Sequence, residues 1–126
     1  MKISCIDHFV LTVACLEATC DFYSAALGMK VVTFGEGRHA LEFGTQKINL
    51  HQAGSDILPR AEQPMSGSAD FCLISDTPLD DVVAHLAALE ITVEEGPVER
   101  TGARGPIQSI YLRDPDRNLI EISEYQ

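Results

Sequence analysis

The order strand, helix, strand, strand, strand is written twice along this chain, and a pattern repeated at that spacing means two similar modules rather than one irregular fold. In residues 1–53, β-branched and aromatic side chains fill Ile6 to Val13. Leu16, Cys20, Tyr23 and Leu27 then follow at helical spacing. Gly28 stands where a helix ends in a left-handed residue. Three short strand runs come next, Lys30 to Phe34, His39 to Phe43 and Lys47 to His51, parted by Gly35-Glu36-Gly37 and Gly44-Thr45-Gln46. Residues 54–68 hold Gly54, Pro59, Pro64 and Gly67 without periodicity and read as a linker.

The pattern restarts over residues 69–126. Ala69 to Ser75 is a strand. Thr77 caps a helix whose first position is Pro78 and whose apolar stripe is Val82, Leu86 and Leu89. Strands are expected at Ile91 to Glu94, Ile107 to Leu112 and Asn118 to Ser123, with breaks at Gly96-Pro97 and Asp114-Pro115-Asp116. The expectation is an α+β fold in one domain of 126 residues. Its two βαβββ modules form a curved mixed sheet around a cleft.

Charge narrows the function. The formal net charge is −10, and residues 61–99 hold nine acids and no base. This argues against nucleic acid, whose phosphates need Lys and Arg, and against anionic lipid. No run reaches the roughly 18 apolar residues of a membrane span. The segment Met1 to Asp7 lacks the order of a signal peptide, so a cytoplasmic protein is expected. Cys5, Cys15, Cys20 and Cys72 form no C-x-x-C pair and sit in apolar contexts, which reads as buried free thiols.

Four polar residues occupy matching places in the two modules. His8 and Asp70 open the first strands; His51 and Glu121 lie in the last ones. Alternation puts Lys47, Asn49 and His51 on one strand face, and Leu119, Glu121 and Ser123 on another. Two imidazoles and two carboxylates suit a divalent Mn, Fe, Co, Ni or Zn ion. Each also has a plainer use: His8 and His51 as hydrogen-bonded or exposed histidines, Asp70 as a turn cap beside Ser68. Glu121, between Ile120 and Ile122, is the hardest to explain without a partner. No G-x-S-x-G, P-loop or G-x-G-x-x-G occurs. Arg104, in Gly102-Ala103-Arg104-Gly105-Pro106, either closes on an anionic ligand group or stands in a simple turn.

Three stretches carry a resemblance: Ile6-Asp7-His8-Phe9-Val10-Leu11-Thr12-Val13, Asp21-Phe22-Tyr23 through Leu27-Gly28-Met29-Lys30, and Asp114-Pro115-Asp116-Arg117-Asn118-Leu119-Ile120-Glu121-Ile122. Through them the chain resembles the vicinal oxygen chelate superfamily, the glyoxalase, bleomycin-resistance and extradiol-dioxygenase group. It looks nearest to the short branch of glyoxalase domain-containing protein 5. The resemblance implies metal ligands at the first and last strands of each module. His8 then matches the first ligand, Asp70 the third and Glu121 the last. Asn49 aligns with the remaining position, with His51 two residues on as a substitute. It further implies a glyoxalase-like lyase or extradiol-dioxygenase-like enzyme that chelates a small oxygen-rich substrate through a divalent metal. Glu121 would be the base, and Asn49 and Arg104 would contact substrate. The alternative is a metal-free, ligand-sequestering protein of bleomycin-resistance type. A homodimer is implied in either case.

Overall fold

The computed structural model describes residues 1–126, and the chain divides into two compact units, 1–68 and 69–126. The first unit runs β1 (His8–Val13), α1 (Leu16–Leu27), β2 (Lys30–Phe34), β3 (Arg38–Phe43) and β4 (Gln46–Gln52). The second runs β5 (Asp70–Ile74), α2 (Leu79–Ala88), β6 (Glu95–Gly102), β7 (Gly105–Arg113) and β8 (Leu119–Tyr125). Each unit is the expected βαβββ module, and the fold class is α+β.

Each unit builds one four-stranded mixed sheet, in the orders β1-β4-β3-β2 and β5-β8-β7-β6. The parallel pair in each is the first strand with the last, β1 with β4 and β5 with β8. The long crossover that parallel pairing demands is supplied by the helix and the two strands after it. Alternation then sorts the side chains. Leu11, Val13, Leu41, Ile48 and Leu50 are buried in the first unit, and Ile110, Leu112, Ile120 and Ile122 in the second. Tyr23 of α1 and Leu86 of α2, both at 0% exposure, come from the helices. The strand positions between these apolar ones form the opposite, partly open face of each sheet, where His8, Val10, Asp70 and Cys72 are exposed while Ala40, Asn49, His51, Ser109 and Ser123 are buried.

Helix α1 starts and stops where the periodicity places it. Gly28 takes φ 65°, and its amide donates to the Ser24 and Tyr23 carbonyls. The cap is Cys15, whose sulfur accepts from the Ala18 amide at 3.5 Å. Helix α2 departs from expectation. Pro78 is the N-cap residue with no side-chain cap bond, while Ser75 Oγ accepts from the Thr77 amide at 3.0 Å. Ser75 orders the turn before the helix, and Thr77 does not cap it.

Strand β6 is displaced from the expected Ile91 to Glu94 and runs through Gly96-Pro97. A register shift lies between Glu95 and Val98. Proline is tolerated there because β6 is an edge strand and needs no donor outward. Glycine is required at 96 because φ is +104° and a Cβ would strike the Ser109 carbonyl. A bulge on an edge therefore looked like a break.

The cysteines are free but not buried: Cys5, Cys15 and Cys72 are exposed and Cys20 is intermediate. The apolar neighbours of Cys72, Phe71 and Leu73, point to the other strand face. Within the acidic stretch, Glu94 pairs with Arg113 at 3.1 Å and Glu95 with Arg100 at 3.2 Å. No helix is long and apolar enough to cross a membrane.

Candidate functional site

On the open face of the first sheet, register sets the rows. His8 lies beside Lys47, Val10 beside Asn49 and Thr12 beside His51. His8 and His51 therefore stand four positions apart, roughly 13 Å along the strands at ~3.3 Å per residue. The first unit does not bring the two imidazoles together. His8 is instead one row from Asn49 on the neighbouring strand.

His8 Nδ1 is 2.8 Å from Asp7 Oδ2. A ring nitrogen donating to a carboxylate fixes the tautomer and leaves Nε2 with its lone pair, the arrangement in which histidine serves as a metal ligand. His51 is 6% exposed, and its Nε2 is buried without a hydrogen-bond partner. Asn49 is 5% exposed with Oδ1 likewise unpartnered. Burial, and then the Arg38 guanidinium nearby, hold His51 below the ordinary imidazole range.

That shift has a measurable consequence. As pH falls below 6.5, the unfolded chain binds a proton at residue 51 before the folded chain does. Stability is then lost with falling pH, and above that value the group has no effect. His51→Gln is expected to lose less stability between pH ~7.5 and ~5.5 than the natural chain. Urea unfolding at the two pH values checks this, and equal losses contradict it.

On the open face of the second sheet, Glu121 of β8 lies between Cys72 of β5 and Tyr111 of β7. Its Oε2 accepts from Ser109 Oγ at 2.6 Å and from Ser123 Oγ at 3.3 Å. The two serine hydroxyls are 2.6 Å apart, and Cys72 Sγ is 3.3 Å from Ser123 Oγ. One proton assignment satisfies the shorter contacts: Cys72 donates to Ser123, Ser123 to Ser109 in place of its longer contact with Glu121, and Ser109 to Glu121. Oε1 takes part in none of these bonds. Burial pushes the Cys72 thiol up, offset by the Ser123 bond and reinforced by the Glu121 charge. Tyr111 accepts at its hydroxyl from Arg100 Nε at 3.0 Å.

Asp70 is exposed and lies beside Leu119, one row from Glu121 on the same face. Arg104 sits in the tight turn of the β6–β7 hairpin. Its guanidinium is 4.2 Å from the Tyr125 ring centroid and its amide donates to the Tyr125 hydroxyl at 3.1 Å. This is the simple-turn placement with an aromatic rest.

Within neither unit do three His, Cys, Asp or Glu side chains gather as a metal-ligand group. The donor chemistry fits a divalent ion at single positions: His8 with its tautomer set by Asp7, and Glu121 with one free oxygen. It does not fit the pair His8 and His51. Sequence reasoning put Ser123 on the Glu121 face without giving it a role, and passed over Ser109 and Arg38. For Ser109 a signal existed, since it shares one face of β7 with Tyr111, opposite the apolar Ile110 and Leu112.

The motif Asp114-Pro115-Asp116-Arg117-Asn118 proves structural. The buried Asp114 carboxylate accepts from the Asp116 amide at 2.9 Å, the Asn118 amide at 3.0 Å and Asn118 Nδ2 at 2.8 Å. Asn118 Oδ1 in turn accepts from the Ala69 amide at 2.9 Å. The motif thus ties the start of β5 to β8 and sets the register that carries Glu121.

Comparison with known proteins agrees with this architecture. The family model described as the glyoxalase/bleomycin resistance protein/dioxygenase superfamily matches residues 5–122. A virulence protein of Salmonella typhimurium is 55% identical over 125 residues, covering 99% of this chain and 87% of the relative. The structure of an integron cassette protein from the mobile metagenome of Vibrio cholerae is 57% identical, with a TM-score of 0.98 over 100% of this chain and 98% of the other. Lactoylglutathione lyase from Agrobacterium tumefaciens is 27% identical, with a TM-score of 0.75 over 98% and 95% of the two chains. The chain belongs to the glyoxalase/bleomycin resistance protein/dioxygenase superfamily.

Proposed function

We propose that the protein is a glyoxalase-type enzyme that transfers a proton within a small oxygen-rich substrate, with Glu121 as the base. The observation that carries this reading is the Glu121 carboxylate on an open sheet face, held at Oε2 by the Ser109 hydroxyl at 2.6 Å. A base must be oriented yet keep one oxygen available, and the serine chain occupies only Oε2. The likeness to a lactoylglutathione lyase supports the same class of chemistry.

Asp70 and Glu121, one row apart on the second sheet, are residues that would hold a divalent ion, and His8 on the first sheet has the tautomer of such a ligand; a bound ion would polarise two adjacent substrate oxygens as a Lewis acid. Asp7 holds the His8 ring in the tautomer a ligand needs. Ser109 donates to Oε2 and leaves Oε1 as the oxygen that would hold an ion or, when free of it, take the substrate proton. A homodimer in the cytoplasm belongs to this reading, as does a small molecule as the only substrate.

A second reading, a metal-free protein that sequesters its ligand, is favoured by the four-residue separation of His8 and His51 along the strands. A turnover screen on metal-loaded protein separates the two. It uses the hemithioacetal of methylglyoxal and glutathione, catechols, and epoxides of fosfomycin type. Saturable binding without turnover, for every compound and every metal tried, contradicts the enzyme.

A further inference from the structure

The open face of the first sheet carries polar side chains that the chemistry at Glu121 leaves unused. Asn49 Oδ1 and His51 Nε2 are buried without partners, two residues apart on one face of β4. Buried polar atoms are almost always hydrogen-bonded, so two neighbouring orphans mark a place completed by another molecule. Ala40, opposite Asn49 on β3, is too short to satisfy it.

Cations flank this spot. Continuing the β3–β4 register by one position sets Arg38 opposite His51. The Arg38 guanidinium is 4.9 Å from the Phe34 ring centroid, and the Lys47 ammonium is 4.0 Å from the same centroid. Two cations gather on one ring in a chain of net charge −10. The ion pairs are made by other residues, Asp7–His8 at the end of this face beside Lys47, and Glu95–Arg100 and Glu94–Arg113 in the second unit. Glu42, opposite Lys47, is the acid on this face.

We infer that this face binds a small hydroxy-dicarboxylate. Arg38 and Lys47 meet its two carboxylates. Asn49 Oδ1 accepts from its hydroxyl, and His51 Nε2 makes a further hydrogen bond to it. The inference rests on the proposed reading only in naming the class of its oxygen-rich substrate; the binding itself needs neither a metal nor Glu121.

The test uses the full chain stripped of metal with a chelator, at low ionic strength. Malate, succinate and dimethyl malate are titrated by calorimetry, with the His51 ring signals followed by NMR. Malate is expected to bind saturably and shift those signals. Succinate, which lacks the hydroxyl, is expected to bind about fivefold more weakly or worse, and the uncharged ester not at all. Arg38→Gln is expected to weaken malate by about tenfold or more. Arg60→Gln, which removes a cation elsewhere, is expected to change nothing. Absence of saturable malate binding, equal binding of the ester, or full affinity in Arg38→Gln overturns the inference. A chain that takes up no metal yet binds malate in this way upholds it while overturning the enzyme reading. A turning-over, metal-loaded protein whose His51 signals ignore malate overturns this inference alone.

Discussion

Glu121→Gln is expected to lower kcat by about 10²- to 10⁴-fold, the usual worth of a positioned general base. The amide is nearly the same shape as the carboxylate. Its oxygen still accepts from Ser109, which lies 2.6 Å from Oε2 in the natural chain. The fold is therefore kept, and thermal unfolding of the variant should match that of the parent. What is lost at saturating metal is the capacity to take a proton, since an amide oxygen is a far weaker base; the accompanying loss of metal affinity is removed by comparing both proteins fully loaded. Ser109→Ala separates holding from reacting. It leaves the carboxylate but removes the hydroxyl that orients Oε2, so a loss of roughly tenfold is expected, with the base still present. Steady-state kinetics on the substrate identified by the screen checks both variants. An unchanged kcat in Glu121→Gln removes Glu121 from the chemistry.

Asp114→Ala is expected to cost about 3 kcal/mol of stability. Asp114 is 4% exposed, and its carboxylate satisfies two backbone amides and Asn118 Nδ2. Alanine leaves these donors without an acceptor where water does not readily replace it, at about 1–3 kcal/mol for a single orphaned group. The groups relax together, so the losses do not simply add. Asn118 is then free to drift, and with it the bond from the Ala69 amide that starts β5. Urea unfolding measures the loss, and a change below about 1 kcal/mol contradicts this account of the turn.

Much of this arrangement was legible in the residues. The spacing of Leu16, Cys20, Tyr23 and Leu27, closed by Gly28, placed α1 at its observed bounds, because helical period and a left-handed stop are both local. Strand alternation put Asn49 and His51 on one face, and Glu121 and Ser123 on another, as observed. Alternation says nothing of register along neighbouring strands. Only the pairing of Thr12 with His51 shows that His8 and His51 cannot share one ligand. Gly96-Pro97 was read as a break because a bulged edge strand carries the same residues as a loop. Arg38 followed a turn and drew no notice. Its role depends on Phe34, Asn49 and His51 arriving beside it from two other strands.

In the proposed enzyme, His8 and Glu121 each act as ligands to a divalent metal. Elemental analysis of protein purified without chelator tests this most directly, with uptake of Mn, Fe, Ni and Zn followed in the same preparation. About one equivalent of metal per chain is expected, lost in His8→Ala and sharply reduced in Glu121→Gln. Less than about a tenth of an equivalent with no stable uptake, or a content unchanged in both variants, contradicts it.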